Sequence, residues 1–244
     1  MGDHPQPLVE GAVMIALHKV TLFRPGSHRR SLILDNVSLT LPAHARVGIL
    51  AARGSGKSIF ARLLSGIENP DQGWITRSGD VSWPLGFAGF FNPFLTTSEN
   101  IGLIAELCGV PPRRAIAFCS EFIGSSFLLD RKVEDLAPVE RAILAFACAL
   151  LKDWDHYIVD ETISVGDEAT RAKCDAVLAE RLQSAGLVVL SRNTRTLSRS
   201  TDRHFALMHH RLRPVADVEG MGHAILSRET GSAEDQPHHM DARV

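Results

Sequence analysis

The spacing of apolar residues predicts a series of short strands. Residues 32–41 alternate apolar and polar positions before a turn at Pro42, which is typical of a half-buried strand. Residues 47–50 are continuously apolar, which favours a strand buried on both faces. The predicted strands are residues 14–22, 32–41, 47–50, 73–75, 81–83, 157–159, 187–190, 204–208 and 212–215. We expect 73–75 to pair with 81–83, and 204–208 with 212–215.

Helical periodicity appears in three parts of the chain. Residues 59–67 predict an amphipathic helix because their large apolar side chains fall on one face. Residues 99–150 are helical in pattern, with a break at the prolines 111–112 and another helix at 114–123. A further helix is predicted at 168–184. The result is an α/β chain with a helical insertion, and no internal repeat is visible.

Composition places the chain among ordinary globular proteins. At 244 residues, with 45% apolar and 22% charged residues, it can bury a full core and is expected to form one domain, with room for a subdomain. The polar, aperiodic ends 1–13 and 228–244 are expected to be disordered tails.

Charge, hydropathy and cysteine spacing exclude several classes of function. A net charge of -2 gives no electrostatic footprint for nucleic acid, so we expect no nucleic-acid partner. The longest apolar run, residues 142–151, is half of the roughly 20 residues that cross a bilayer, and the first residues do not resemble a signal peptide. Any membrane role is therefore expected to come through a partner. The separated cysteines favour buried thiols over disulfides or a metal site: Cys108, Cys119, Cys148 and Cys174.

The segment 51–58 carries the strongest chemical signal, because it joins the buried strand 47–50 to the helix 59–67. Its residues are Ala51, Ala52, Arg53, Gly54, Ser55, Gly56, Lys57 and Ser58. In such a loop backbone N–H groups point at phosphate oxygens, Lys57 reaches the β- and γ-phosphates, and the Ser58 hydroxyl coordinates Mg²⁺. A flexible surface linker is the alternative, but linkers do not join a buried strand to an amphipathic helix.

The loop departs from the full G-x-x-x-x-G-K-[ST] pattern at its first position, where Ala51 replaces glycine. If that position requires a positive φ, we expect strain of roughly 1–3 kcal/mol.

A pair of carboxylates stands about a hundred residues later, at the end of the apolar strand 157–159. Asp160 is predicted to bind Mg²⁺ directly or through water, and Glu161 to polarise a water for in-line attack on a γ-phosphate. Two surface acids that open a loop are the alternative. The phosphate-binding loop upstream favours the functional interpretation.

With these motifs, the chain resembles the nucleotide-binding subunit of ABC transporters over residues 14–215, and in particular the subfamily that exports capsular polysaccharide across bacterial inner membranes. Ser-Trp-Pro-Leu-Gly at 82–86 is the most diagnostic stretch, because it is rare in ABC proteins that move other substrates. The residues that carry the resemblance are Ser82-Trp83-Pro84-Leu85-Gly86, Leu95-Thr96, Glu99-Asn100, Asp160-Glu161 and Ser164-Val165-Gly166-Asp167.

The resemblance implies a phosphate-loop NTPase fold of the ABC type, with an α/β core, an antiparallel β subdomain and a helical subdomain at about 93–150. The nucleotide-binding domain would span 14–227. It further implies ATP and Mg²⁺ as cofactors and a head-to-tail dimer that holds two ATP molecules between its subunits.

The same resemblance assigns roles to three more residues. Phe23 falls where an aromatic ring stacks on adenine, although packing against its own strand is also open. Asn92 falls where the family has a glutamine that senses Mg²⁺ and contacts the membrane subunit. Asp167 falls in the loop that crosses the dimer interface.

Besides Ala51 and Asn92, two further family elements are altered in this chain. The signature loop, Ser-Gly-Gly or Ser-Gly-Met at a helix start, falls on residues 137–141, where Ala137 has no hydroxyl and Pro138 has no N–H. Pro138 suits a first helical turn, so the helix itself is expected to form. The histidine that contacts the γ-phosphate is replaced by Arg192, which keeps charge and donors but cannot accept a proton.

These observations leave two interpretations of function. The first is an ATP-hydrolysing subunit of a polysaccharide exporter that turns over slowly, on the cytoplasmic face of the inner membrane. It would work beside a polytopic permease, as a homodimer or with a second nucleotide-binding subunit. The second is a degenerate nucleotide-binding regulatory subunit paired with an active ATPase. A small-molecule phosphate-loop kinase is disfavoured, because the helical insertion and the segment after Asp160 fit a dimeric ATPase better.

Overall fold

A computed structural model describes residues 15–26, 31–124, 126–161 and 165–222. Within these ranges the strands are β1 (Ile15–Phe23), β2 (Leu32–Leu41), β3 (Arg46–Ala51), β4 (Gln72–Arg77), β5 (Val81–Leu85), β6 (His156–Asp160), β7 (Gly186–Ser191), β8 (Arg203–Met208) and β9 (Arg211–Val215). The helices are α1 (Lys57–Leu64), α2 (Thr97–Cys108), α3 (Pro112–Ile123), α4 (Pro138–Ala149), α5 (Glu168–Arg181) and α6 (Thr194–Ser200). The predicted tails 1–13 and 228–244 lie outside the described residues.

The strands form two sheets. A three-stranded antiparallel sheet has the order β2-β1-β4, and a six-stranded sheet has the order β5-β6-β7-β3-β8-β9. In the larger sheet β5, β6, β7, β3 and β8 run parallel, and β9 returns antiparallel to β8 as predicted. Because β3 and β6 are parallel, the segments that follow Ala51 and Asp160 emerge at the same edge.

One predicted pairing is wrong. β4 does not pair with β5: β4 pairs with β1 in the smaller sheet, and β5 lies beside β6 at the edge of the larger one. The intervening residues 78–80 have the length of a hairpin turn, but they carry the chain from one sheet to the other. Asp80 fixes this crossing, since its N–H donates to the Asp155 carboxylate at 2.8 Å and its carbonyl accepts from the backbone of Asp155 at 2.9 Å.

Helices α2, α3 and α4 lie between β5 and β6 in the sequence and pack against one another. Thr96 caps α2 with its hydroxyl, and Glu99 completes a capping box by accepting the Thr96 N–H at 2.7 Å. The predicted break at 111–112 is confirmed, because α3 begins at Pro112. The predicted burial of thiols is confirmed for Cys119, Cys148 and Cys174.

Helix boundaries differ modestly from those predicted. α1 begins two residues early, directly at Lys57, and ends at Leu64; α5 ends at Arg181 rather than at 184. α6 was not predicted, since it is short and polar, although Asn193 caps it by accepting from the backbone N–H of Arg195 at 3.0 Å. Among the described residues, no helix combines the length and apolar character needed to cross a membrane.

Candidate functional site

The loop between β3 and α1 borders a cavity at the carboxyl edge of the large sheet. Gly54 and Gly56 have φ values of 77° and 91°, in the left-handed region that glycine tolerates. A Cβ on Gly56 would meet the Ile33 side chain at 2.6 Å, so this position also needs glycine for space. The cavity measures about 450 Å³, which suits a small ligand, and its lining comprises Arg24, Ala52, Arg53, Gly54, Gly56, Lys57, Ser58, Ile59, Glu161 and Arg192.

Lys57 joins the loop to both predicted carboxylates. Its Nζ lies 2.9 Å from Asp160 Oδ1 and 2.8 Å from Glu161 Oε2. Burial lowers the pKa of Lys57, but hydrogen bonds and charge from Asp160 and Glu161 outweigh it, so the net shift is upward. The structure therefore brings Lys57 into contact with two predicted carboxylates that lie more than a hundred positions later in the chain.

Glu161 has a strained backbone and several partners. Its φ of 72° lies in the left-handed region, which costs a non-glycine residue about 1–3 kcal/mol. Its N–H donates to the Leu190 carbonyl at 2.7 Å. Its Oε1 accepts from the Ser191 hydroxyl at 3.3 Å and from the Arg192 N–H at 3.2 Å, and the Arg192 guanidinium Nε lies 3.7 Å away.

The surroundings of Glu161 favour its ionised form. Burial raises the pKa of Glu161, but the hydrogen bond from Lys57, the Arg192 N–H and the charges of both residues shift it below the usual range of a glutamate. The side chain remains 33% exposed, so a water or ligand in the cavity can reach it. The ionised Glu161 carboxylate can therefore orient a water or another polar ligand in the cavity.

A second cavity of about 290 Å³ adjoins the first at Ser58, which lines both. Asp160 lines the second cavity together with Arg62 and residues 84–88. Ser58 carries a hydroxyl oxygen and Asp160 a carboxylate oxygen, and oxygens of these kinds are the ligands that Mg²⁺ takes while it keeps several waters. The predicted magnesium ligands Ser58 and Asp160 therefore fit that ion.

The remaining loop residues have different roles. Ala51 is the last residue of β3 in extended backbone, so its replacement of glycine causes no left-handed strain. Ala52 and Arg53 line the first cavity. Ser55 holds the turn itself, because its hydroxyl donates to the Ala52 carbonyl at 2.8 Å.

Besides Ala51 and Ser55, two predicted residues lie outside the lining of both cavities. Phe23 is half-buried at the end of β1, and its N–H donates to the Asp71 carboxylate at 2.8 Å. Asn92 is exposed, and its side-chain oxygen accepts the Phe94 N–H at 3.0 Å. Adenine stacking by Phe23 and Mg²⁺ sensing by Asn92 therefore stay predictions.

The start of α4 has the carboxylate half of a capping box but lacks the hydroxyl half. Pro138 is the first helical residue, so the helix forms as predicted. The Glu140 carboxylate accepts the Ala137 N–H at 2.7 Å, but Ala137 has no side-chain oxygen to return to the helix. Val139 is 50% exposed at this end.

In the segment that follows β6, Asp167 caps α5 by accepting the Thr170 N–H at 2.8 Å, and Ser164 lies outside the described residues.

The sequence did not indicate two residues of the site. Arg24 lines the first cavity, and its Nη2 donates to the Gly54 carbonyl at 2.8 Å. Ser191 is buried at the end of β7 beside Glu161. The only local signal for either was a polar residue at a strand end, which is common at surfaces.

Comparison with known proteins gives concordant matches. A family model described as ABC transporter matches residues 34–164. ATP-binding protein BexA of Haemophilus influenzae is 35% identical over 182 residues, covering 73% of this chain and 84% of BexA. Capsule polysaccharide export ATP-binding protein CtrD of Neisseria meningitidis serogroup B is 31% identical over 187 residues, covering 77% of this chain and 87% of CtrD.

The fold has a counterpart among solved structures. A dimeric, post-hydrolysis structure of the ATP-binding cassette MJ0796, bound to ADP and Pi, superimposes with a TM-score of 0.68. The match covers 82% of this chain and 97% of MJ0796 at 18% identity, so it bears on the fold alone.

Proposed function

This chain belongs to the ABC transporter family as an ATP-binding domain, and from that premise we propose that it powers the export of a polysaccharide across the inner membrane by slow ATP hydrolysis. The proposed substrate class follows from the similarity to CtrD, a capsule polysaccharide export ATP-binding protein. The single observation that supports hydrolysis, beyond ATP binding, is the contact of Lys57 with both Asp160 and Glu161 at the phosphate loop.

In this proposal some residues of the cavity bind the nucleotide and others catalyse its hydrolysis. In the free protein the Lys57 ammonium is held by two carboxylates; with ATP bound it turns to the β- and γ-phosphates, beside the amides of the loop. Ser58 and Asp160 would hold Mg²⁺, which neutralises charge on the phosphate oxygens when bound. Glu161, freed from Lys57, orients the attacking water and accepts its proton.

Slow turnover is supported by contacts at two places. With Lys57 turned to the phosphates, Arg192 still donates its N–H to Glu161 and places its charge nearby where the family has histidine, and this favours the ionised carboxylate and weakens it as a proton acceptor. At the start of α4, Ala137 and Pro138 lack the hydroxyl and the N–H that the family's signature loop offers across the dimer to the partner's γ-phosphate.

The proposed assembly follows the family resemblance. The chain would act on the cytoplasmic face of the inner membrane as a peripheral subunit of a polytopic permease. It would form a head-to-tail homodimer, or a heterodimer with a second nucleotide-binding subunit. The alternative function is a degenerate regulatory subunit whose partner supplies the active site, and the altered residues Ala137 and Pro138 are the observation that favours it.

The proposal is tested by replacing the native gene with variants and measuring both ATP binding and surface polysaccharide. Lys57→Ala should weaken Mg-ATP binding at least about a hundredfold, since charged hydrogen bonds of about 1.5–3 kcal/mol each are lost, and should abolish export. Lys132→Ala, which removes an exposed lysine paired with Glu134 away from the cavity, is the control and should leave both unchanged. Normal surface polysaccharide with Lys57→Ala or with Glu161→Gln would contradict export powered by this site.

A further inference from the structure

Arg24 connects the two sheets at the rim of the first cavity, which we call the phosphate cavity because the predicted phosphate loop lines it. It follows β1 of the smaller sheet, whereas the phosphate loop follows β3 of the larger one. Its guanidinium Nη2 donates to the Gly54 carbonyl at 2.8 Å, thirty residues away in sequence. The half-buried side chain also lines the cavity.

Hydrogen bonds anchor the main chain at Arg24. The Phe23 N–H donates to the Asp71 carboxylate at 2.8 Å, and the Arg24 N–H donates to the Ser31 carbonyl at 2.8 Å. At the other end, Gly54 has a left-handed φ of 77°, and nothing lies within 4 Å of the position where a Cβ would stand, so no packed neighbour constrains the loop at that point. The hydrogen bond from Arg24 supplies that constraint.

Arg24 differs from two neighbouring cationic side chains in the kind of group that it contacts. Lys57 is paired with Asp160 and Glu161, and Arg192 lies close to Glu161. The contact of Arg24 with the loop is to an uncharged carbonyl, which leaves the guanidinium charge in place. Arginine carries five donors in a planar fork, so one can hold the carbonyl while others meet phosphate oxygens.

We propose that Arg24 is a further nucleotide-binding residue, which contacts a phosphate group of the bound nucleotide while it holds the Gly54 side of the phosphate loop in place. This inference deepens the proposed function and rests on it. The recognised chemistry is the phosphate chain, so inorganic tripolyphosphate should share the contact with ATP.

The test separates the charge of Arg24 from its role as a hydrogen-bond donor. Arg24→Lys keeps the charge, Arg24→Gln keeps a donor without charge, and Arg24→Met, a second neutral variant, keeps the apolar stem. Mg-ATP affinity is measured by calorimetry at several salt concentrations, tripolyphosphate affinity is measured by competition, and thermal unfolding checks each variant. Arg46→Gln is the matched control, because Arg46 donates to the Leu182 carbonyl at 3.2 Å far from the cavity.

We expect Arg24→Gln and Arg24→Met to weaken binding of ATP and tripolyphosphate about tenfold or more, as for loss of a charge-assisted hydrogen bond. Their salt dependence should also become shallower, because a charged contact is gone. Arg24→Lys should retain most of the affinity, and Arg46→Gln should bind as the parent does.

Three results would overturn the inference while leaving the proposed function intact. The first is parental affinity in all Arg24 variants. The second is retained affinity in Arg24→Gln with loss in Arg24→Lys, which would make Arg24 a tether of Gly54 only. The third is loss of ATP binding without loss of tripolyphosphate binding. A parent protein that does not bind Mg-ATP would instead overturn the proposed function itself.

Discussion

At the scale of single residues, Glu161 combines a costly backbone with a carboxylate that is held from several sides. Its left-handed φ of 72° is maintained by the hydrogen bond from its N–H to the Leu190 carbonyl. Strain of this kind persists where the surrounding structure determines it, and it is concentrated at functional sites. The strain places the side chain between Lys57 and the end of β7, where it faces the phosphate cavity.

Glu161→Gln should separate ATP binding from hydrolysis. The amide keeps the length of the side chain but cannot accept a proton, so the single-turnover rate should fall about 10²–10⁴-fold. ATP affinity should be retained, because the change releases Lys57 from one of its two carboxylates. Rapid-quench hydrolysis and calorimetry measure the two quantities.

The control for this substitution is Asp153→Asn. Asp153 is 78% exposed and paired with Arg181 away from the cavity, so the same carboxylate-to-amide change should leave both quantities at the parent value. Hydrolysis by Glu161→Gln at the parent rate would place the base at another residue.

The pKa shift of Glu161 predicts a pH dependence of stability. Because this pKa is lower in the folded protein than in the unfolded chain, the ionised carboxylate stabilises the fold above the usual glutamate pKa. That contribution is lost as the pH falls through the folded-state pKa. The difference in unfolding free energy between parent and Glu161→Gln should therefore be present near about pH 7 and shrink below about pH 4.

Denaturant unfolding at both pH values measures this difference. High salt should also reduce it at neutral pH, since the ion pairs with Lys57 and Arg192 are partly exposed. A difference that grows as the pH falls would contradict the assigned direction of the pKa shift.

At the scale of elements, helices α2 and α4 begin with the same contacts except at one residue. Each has a glutamate at its third position that accepts the N–H of the residue before the helix, at 2.7 Å in both cases. α2 adds the Thr96 hydroxyl, which accepts the Glu99 N–H at 3.2 Å, whereas α4 has Ala137 at the equivalent position. α4 therefore lacks half of its capping box.

Ala137→Ser should complete the cap of α4. A serine oxygen there can accept the Glu140 N–H, which stabilises a helix start by about 0.5–2 kcal/mol. Thermal unfolding should show the gain, and Thr96→Ala at α2 is the reciprocal control that should lose a similar amount. An unchanged midpoint for Ala137→Ser together with a loss for Thr96→Ala would mean that α4 does not use a side-chain cap.

Restoring the family residues should also raise turnover. The combined change Ala137→Ser, Pro138→Gly and Arg192→His returns a hydroxyl, an N–H and an imidazole to the proposed γ-phosphate contacts. At saturating ATP the rate should rise at least about tenfold, which corresponds to about 1.4 kcal/mol of transition-state stabilisation. ATP affinity should change less, because Lys57 and the loop amides provide most of it.

A parent protein that already turns over rapidly, with no gain on restoration, would contradict the proposed weakening. Arg141 or Arg192 would then have taken over the contact with the γ-phosphate. Phosphate-release assays on the parent and the restored protein distinguish these results.

The sequence could predict those elements and site residues whose signals are local. β3, α1 and β6 carry their own hydrophobic patterns, and the loop and acid pair lie next to them in the chain. The β4–β5 connection could not be predicted, because a three-residue link fits a hairpin as well as a crossing between sheets. Arg24 and Ser191 acquire their roles only through contacts across strands that are distant in sequence.

At the scale of the whole molecule, the phosphate cavity and the start of α4 belong to different parts of the fold. The cavity lies at the carboxyl edge of the large sheet, whereas α4 belongs to the group of helices inserted between β5 and β6. In the proposed head-to-tail dimer, the start of α4 in one copy completes the cavity of the other. Restoring the family residues at the start of α4 in one copy should therefore raise turnover in the cavity of the other copy. A dimer of two different proteins is needed to observe this effect.

Mixing the parent with a variant that has a restored α4 but a disabled cavity tests this arrangement. One carries Lys57→Ala together with Ala137→Ser and Pro138→Gly, so it has a repaired α4 but cannot bind ATP; the other is the parent, with an intact cavity and the natural α4. In mixed dimers the repaired helix faces the parent cavity, and turnover per parent cavity should exceed that of the parent alone. Parent mixed with Lys57→Ala alone is the control and should show no gain. If the mixture shows no gain although a protein with both an intact cavity and a repaired α4 does, then α4 acts within its own copy, and the head-to-tail assembly is wrong for this chain.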